Sequence, residues 1–116
     1  MKDDSIKVKK LKSYAGDYIE TNPGFAIKIY TDILSISKKI KNKSCESKCL
    51  LAFAVLYRVK GQHDLARSYD WKALDAAIAA NNNEDIGRVY NNIGNTFYFQ
   101  NEFDSAVTYY LKSLNY

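Results

Sequence analysis

The chain has 116 residues, the length of one domain. Apolar residues make up 47% and charged residues 26%, and one Pro with five Gly excludes collagen-like, linker and disordered compositions. The net charge of +4 is unevenly spread: residues 1–43 hold ten Lys and five acids, residues 44–116 seven basic and eight acidic residues. A nucleic-acid binder spreads its basic residues as a stripe along one face, so this distribution argues against that partner. No apolar run approaches the roughly 18 residues of a membrane span. The opening MKDDSIKVKK lacks an apolar stretch, so no secretory leader is visible and a cytoplasmic location is expected. Ten Tyr and five Phe stand against one Trp and one Met, which points to a structural position used repeatedly.

The expected elements are all helical. Ser5 can start a helix to about Glu20. Asn22 caps the next, with Pro23 at the first helical position, and this helix reaches about Lys41. Lys38, Lys39, Lys41 and Lys43 then sit where cations complement the helix dipole. Ser44 can cap a third helix to about Lys60, broken by Gly61, and a fourth runs from His63 to about Ala80. Asn81, Asn82 and Asn83 read as a linker, with Asn83 capping a fifth helix to about Phe99 through a first turn holding Glu84 and Asp85. Gln100 and Asn101 make a turn, and a sixth helix runs from about Glu102 to the end. No stretch alternates with the period of a strand.

An internal repeat organises these helices. Leu11, Tyr14, Ala15 and Tyr18 have the spacing 0, 3, 4, 7, as do Leu50, Phe53, Ala54 and Tyr57, and Tyr90, Ile93, Gly94 and Phe97. Each frame is followed by an alanine, Ala26, Ala66 or Ala106, and these lie 40 residues apart. The first copy is one residue short, at the turn carrying Asn22, Pro23 and Gly24. The small residues should mark where the two helices of a pair cross, with Tyr18, Tyr57 and Phe97 filling the space above. One pair cannot bury its own apolar face, so the expected fold is an all-α superhelix of three stacked antiparallel pairs, a single domain with repeats over roughly 5–42, 44–80 and 83–116.

The frame resembles the tetratricopeptide repeat, Trp-x2-Leu-Gly-x2-Tyr followed by Ala-x3-Phe and Pro. The third copy follows it best, through Tyr90, Ile93, Gly94, Phe97, Ala106 and Tyr110. The second departs at Ala54 and at Asp70, which stands where an aromatic is usual, and the closing Pro is absent throughout. The period is 40 rather than about 34, which longer helices and the Asn81–Asn83 linker would absorb. That period is similar to the repeats of bacterial signalling proteins, among them peptide-sensing transcription regulators, phosphatases and sensor kinases. The resemblance implies a protein- or peptide-binding scaffold, with the input segment of a larger signalling protein as the alternative.

The resemblance also implies a concave groove lined by the first helix of each pair. In the first copy it maps to Lys12, beside Lys9, Ser13, Gly16 and Ile19. In the second it maps to Lys48, Leu51, Val55 and Arg58, beside Ala52 and Val59. In the third it maps to Arg88, Asn91, Asn92, Asn95, Tyr98 and Phe99. Asn91 and Asn95 share a helix face, and their amides could hold the backbone of an extended peptide. Some members grip a terminal carboxylate with Lys, Asn, Asn, Lys and Arg over three repeats. Here Lys12 and Arg88 match, but Gly16, Ala52 and Asn92 do not, so that clamp is not expected.

Other chemistry is thin. Cys45 and Cys49 share a helix face as reduced thiols, and the only His, His63, aligns with the turn aromatic Phe103. No catalytic set, metal site or cofactor is expected; Asp17, Glu20, Glu84 and Asp85 read as surface acids near helix ends. RNA recognition would need polar code positions in every copy, where the second offers Val and Ala. In the last helix Val107, Leu111 and Leu114 form an apolar stripe whose counterparts Arg67, Trp71 and Leu74 are covered by the third pair. The expectation is therefore either that the chain is a segment of a longer repeat protein, or that this stripe is covered by a second copy, in a homo-oligomer, or by another protein.

Overall fold

The computed structural model describes the backbone of residues 2–116 and the side chains from Ile6 onward. Among the described residues six helices follow one another: α1 (Lys2–Tyr18), α2 (Pro23–Lys39), α3 (Lys43–Val59), α4 (His63–Ala79), α5 (Asn83–Phe99) and α6 (Phe103–Ser113). From α2 onward they begin at residues 23, 43, 63, 83 and 103, so the unit of the array is a 20-residue helix-plus-turn used twice per repeat. The described residues contain no strand. The all-α superhelix of antiparallel pairs expected from the sequence is present, and the array measures 44 × 32 × 18 Å.

The turns explain the regularity. After α2, α3, α4 and α5 the chain passes through one left-handed residue: Lys41 (φ 57°), Gly61 (φ 81°), Asn81 (φ 53°) and Asn101 (φ 62°). The next residue sends its N–H back to a helix carbonyl five residues earlier, as in Asn42 to Ser37 and Gln62 to Tyr57, both 2.9 Å. This doubly bonded ending satisfies carbonyls that the helix leaves open. Gly and Asn suit the left-handed residue; Lys41 carries a steric cost there. The turn after α1 has no such residue: the β-branched Thr21 stands in its place, and the Asn22 N–H donates to the Tyr18 carbonyl four residues back (2.8 Å).

Three cap assignments shift. Asn22 caps α2 as expected, accepting from the Phe25 N–H at 3.2 Å. α3 is capped by Asn42 rather than Ser44, and α5 by Asn82 rather than Asn83, each amide oxygen accepting at 3.0 Å from Cys45 or Asp85. α1 begins at Lys2, so Ser5 lies inside it. Asn81–Asn83 is therefore not an added linker: Asn81 is the left-handed residue, Asn82 the cap and Asn83 the first helical residue. The longer period resides in helices of 17 residues. Ser44 instead donates to the Asp85 carboxylate at 2.5 Å, tying α3 to α5, and Asp85 is buried rather than a surface acid.

Two clusters form the core. Ala15, Ala26, Ile29, Tyr30, Ile33, Cys45, Cys49, Phe53 and Leu56 join the first pair to α3. Leu50, Ala73, Leu74, Ala77, Ile86, Val89 and Ile93 join α3, α4 and α5. All five crossing alanines, Ala15, Ala26, Ala54, Ala66 and Ala106, are buried. Gly94 permits the closest approach, since a Cβ there would lie 2.6 Å from the Tyr110 ring. Tyr57 stacks on Tyr69 (5.4 Å, 9°) and Phe97 on Tyr109 (5.3 Å, 8°), one ring pair repeated 40 residues on. Lys72 and Lys112 cover these pairs from outside, each 4.9 Å from a ring centroid. Tyr18 departs from this plan: it is exposed, and it meets the Phe25 ring edge-on at 4.8 Å.

Cys45 and Cys49 are buried free thiols. The Cys49 thiol donates to the Tyr30 carbonyl at 3.3 Å, and burial with the neighbouring Cys45 pushes its pKa up to about 12. A thiol held in its neutral form is a poor nucleophile and a packing residue.

Candidate functional site

α1, α3 and α5 run in the same direction and line one side of the array. The stripes they present on that side are set by helical spacing: Lys48, Leu51, Val55 and Arg58 follow one line along α3, and Arg88, Asn91, Asn95 and Tyr98 follow the matching line on α5. Lys12, Lys48, Leu51, Ala52, Val55 and Arg88, with Tyr30 beneath, enclose a depression of about 320 Å³. Six residues mapped to this face from the sequence are thereby brought together: Lys12, Lys48, Leu51, Ala52, Val55 and Arg88. The floor is apolar and the rim cationic. Glu84 bonds to Arg88 at 2.9 Å, a surface pair that holds the guanidinium only weakly.

The third copy divides. Asn91 is exposed, whereas the Asn95 amide oxygen accepts from the Tyr110 hydroxyl at 2.6 Å and so joins α5 to α6. Tyr98 and Phe99 lie near the C-terminal end of α5, in edge contact at 5.6 Å, with Phe103 against Tyr98 and Val59 also exposed. Asn92 is 7% exposed and turned inward.

Asn92 belongs to a buried polar network that sequence reasoning missed. Asp70 on α4 is fully buried and accepts 2.7 Å bonds from the Asn92 amide and from the Thr96 hydroxyl. Arg58 Nη1 donates to the Asn92 amide oxygen (3.2 Å) and to Thr96 Oγ1 (3.4 Å). Two short relays thus run from Arg58 through α5 to Asp70, with no direct ion pair. Burial pushes the Asp70 carboxyl above its usual range; the bonds from Thr96 and Asn92 and the charges of Arg58 and Arg67 oppose that. Burial pushes the Arg58 guanidinium down, opposed by Asp70 and Tyr110. The one available signal was Asp70 itself, a charge at a position where the frame places an aromatic.

The sequence profile described as tetratricopeptide repeat matches residues 46–116. The chain belongs to the tetratricopeptide repeat family. Among solved structures, the TPR domain of Arabidopsis FLU superposes with a TM-score of 0.82 over 97% of this chain and 95% of that one. Sequence identity is 13%, so this likeness concerns the fold alone. A comparison with curated proteins found no match in sequence.

Tetratricopeptide repeats are in general protein-interaction scaffolds without catalysis of their own. No described helix is long and apolar enough to cross a membrane. In this repeat protein the usual aromatic of the second copy is replaced by Asp70, and the opposing residue is Ala54 where the third copy has Gly94 opposite Tyr110. A carboxylate is smaller than a phenol ring, so the helix crossing there tolerates a methyl group.

Proposed function

We propose that the concave face of α1, α3 and α5 binds an extended peptide segment of a partner protein, with apolar side chains placed over Leu51, Ala52 and Val55. The observation that carries this is the depression uniting Lys12, Lys48, Leu51, Val55 and Arg88 from three helices. Asn91 and Asn95 lie along the same face and offer amide groups to a peptide backbone. Isothermal titration with a peptide selected from a random display library tests the reading. Asn91→Ala with Asn95→Ala should weaken binding by roughly 1–3 kcal/mol, the cost of backbone groups left unpaired. Asn91→Ala alone should leave the melting temperature unchanged, while Asn95→Ala removes the Tyr110 bond and costs about 1 kcal/mol of stability. Unaltered affinity in the double variant would remove both amides from the site.

The outer face of α6 supports association of two copies as a second use of the array. Val107, Leu111 and Leu114 are 55%, 59% and 79% exposed, whereas the corresponding Leu74 on α4 is buried beneath the third pair. Trp71 is partly covered there, meeting Tyr109 at 5.8 Å. The stripe is apolar and contiguous on one helix face, the kind of surface that gains by being covered. Light scattering should show the mass rising with concentration, and Leu111→Lys with Leu114→Lys should hold it at the monomer value. A concentration-independent monomer in the unaltered protein would end this reading.

A further inference from the structure

The α3 stripe is apolar in the middle and cationic at both ends. Lys48 stands at one end, with Lys12 and Arg88 beside it around the same depression. Arg58 stands at the other, ten residues along the helix. At about 1.5 Å per residue that separation is about 15 Å, the span of four to five residues of extended peptide at ~3.3 Å each. Leu51 and Val55 lie between.

Arg58 differs in kind from the lysines. Its Nη1 is pinned by the Asn92 amide oxygen, the Asn92 carbonyl and Thr96 Oγ1, all within 3.5 Å. The Phe99 ring lies 5.3 Å from its central carbon and shields one face. Its Nε and Nη2 have no hydrogen-bond partner among the described residues, and the side chain is only half-buried. Asp70 lies behind it, fully buried, with both carboxylate oxygens already accepting from Asn92 and Thr96. The network holds Nη1, while Nε and Nη2, two N–H groups in one plane, lack an acceptor among the described residues. A planar pair of donors of this kind fits a carboxylate, and holding it rigid lowers the entropy lost on binding.

We propose that Arg58 is a carboxylate-receiving residue of the groove, and that the preferred partner is an extended acidic segment whose acidic residues stand four to five apart and bracket apolar ones. One acid meets Arg58, the other the cluster of Lys12, Lys48 and Arg88. Asp70, Asn92 and Thr96 are positioning residues for Arg58. The inference rests on the peptide-groove reading above and adds the ligand's charge pattern to it.

Selection from a displayed library of random twelve-residue peptides tests it, run in parallel on the unaltered protein, Arg58→Gln and Arg58→Lys. Circular dichroism establishes that each variant is folded at the selection temperature; an Arg58→Gln chain that is unfolded there is replaced by Arg58→Met. The unaltered protein should enrich peptides with two acids at a spacing of four or five flanking apolar residues. Arg58→Gln should keep the apolar preference and the acid at the lysine end, and lose the second acid. Arg58→Lys should retain that acid with at least threefold weaker affinity, because a point charge cannot make two parallel bonds. Enrichment of apolar peptides without paired acids, or the same acid pair in Arg58→Gln, would overturn this inference and leave the peptide groove standing. No enrichment over an unrelated control protein would overturn both.

Discussion

Asp70→Ala should destabilise the protein by roughly 3–5 kcal/mol, the loss seen when one partner of a buried charged network is removed. Three effects combine. The Asn92 amide and the Thr96 hydroxyl lose their 2.7 Å acceptors in a site closed to water. The half-buried Arg58 charge loses its nearest compensation. A small void opens where α3, α4 and α5 meet. Asp70→Asn keeps shape and one acceptor, so its cost should be smaller, and its pH dependence separates charge from packing. Burial raises the Asp70 pKa in the folded state. Between the unfolded and folded values the folded protein therefore binds more protons, and this residue's contribution to stability is largest at acid pH and declines as pH rises through that window. Urea unfolding from pH 3.5 upward should show this declining component in the unaltered protein and not in Asp70→Asn. An identical pH profile in the two proteins would show that Asp70 is not the group responsible.

The same residue marks the boundary of what the sequence discloses. The helices were legible because the 0, 3, 4, 7 frame recurs three times, and the crossing residues because small side chains recur at fixed places within it. The groove lining was legible only as far as one helix face can be read. Lys12, Lys48, Leu51, Val55 and Arg88 converge because they are spaced along stripes of parallel helices. Asn92 was placed in the groove by the same rule, yet it is turned inward, because Asp70 on a different helix offers a charged acceptor that solvent cannot match. That partner is 22 residues away and belongs to no periodic pattern. The caps failed for a related reason. Ser44 and Asn83 are good capping residues standing close to other good ones, and the fixed 20-residue helix-plus-turn unit decides that Asn42 and Asn82 occupy the cap position. Ser44 is then free to bond Asp85 on a helix 41 residues away, which also explains why a first-turn acid that reads as solvated is buried. Local pattern determines which helices form and which faces meet; the polar contacts between helices depend on pairs that no single helix contains.

Gly94→Ala should cost about 1–3 kcal/mol, although alanine is intrinsically the better helix former by about 1 kcal/mol. The added methyl would sit 2.6 Å from Tyr110 Cδ1 and Cε1 and 3.1 Å from its Cγ. Contact with the root of the ring as well as its edge means that a small swing of the side chain does not relieve it. The Tyr110 hydroxyl is held by Asn95 at 2.6 Å, so the ring is fixed at both ends. Relief requires α6 to move away from α5, and that movement loosens the contact of Ala106, the alanine of this crossing. The second copy contains the compensating arrangement: Ala54 has its methyl group, and the facing residue is Asp70 rather than an aromatic. Tyr110→Ala should therefore reverse the sign of the Gly94→Ala effect, because the methyl then enters space the ring has left and the helix-propensity gain remains. A double-mutant cycle by chemical denaturation measures this directly, with a coupling energy of about 2 kcal/mol or more expected for residues in such contact. If the two substitutions simply add, the ring is not what makes glycine necessary at position 94, and the close approach of α5 and α6 has another cause.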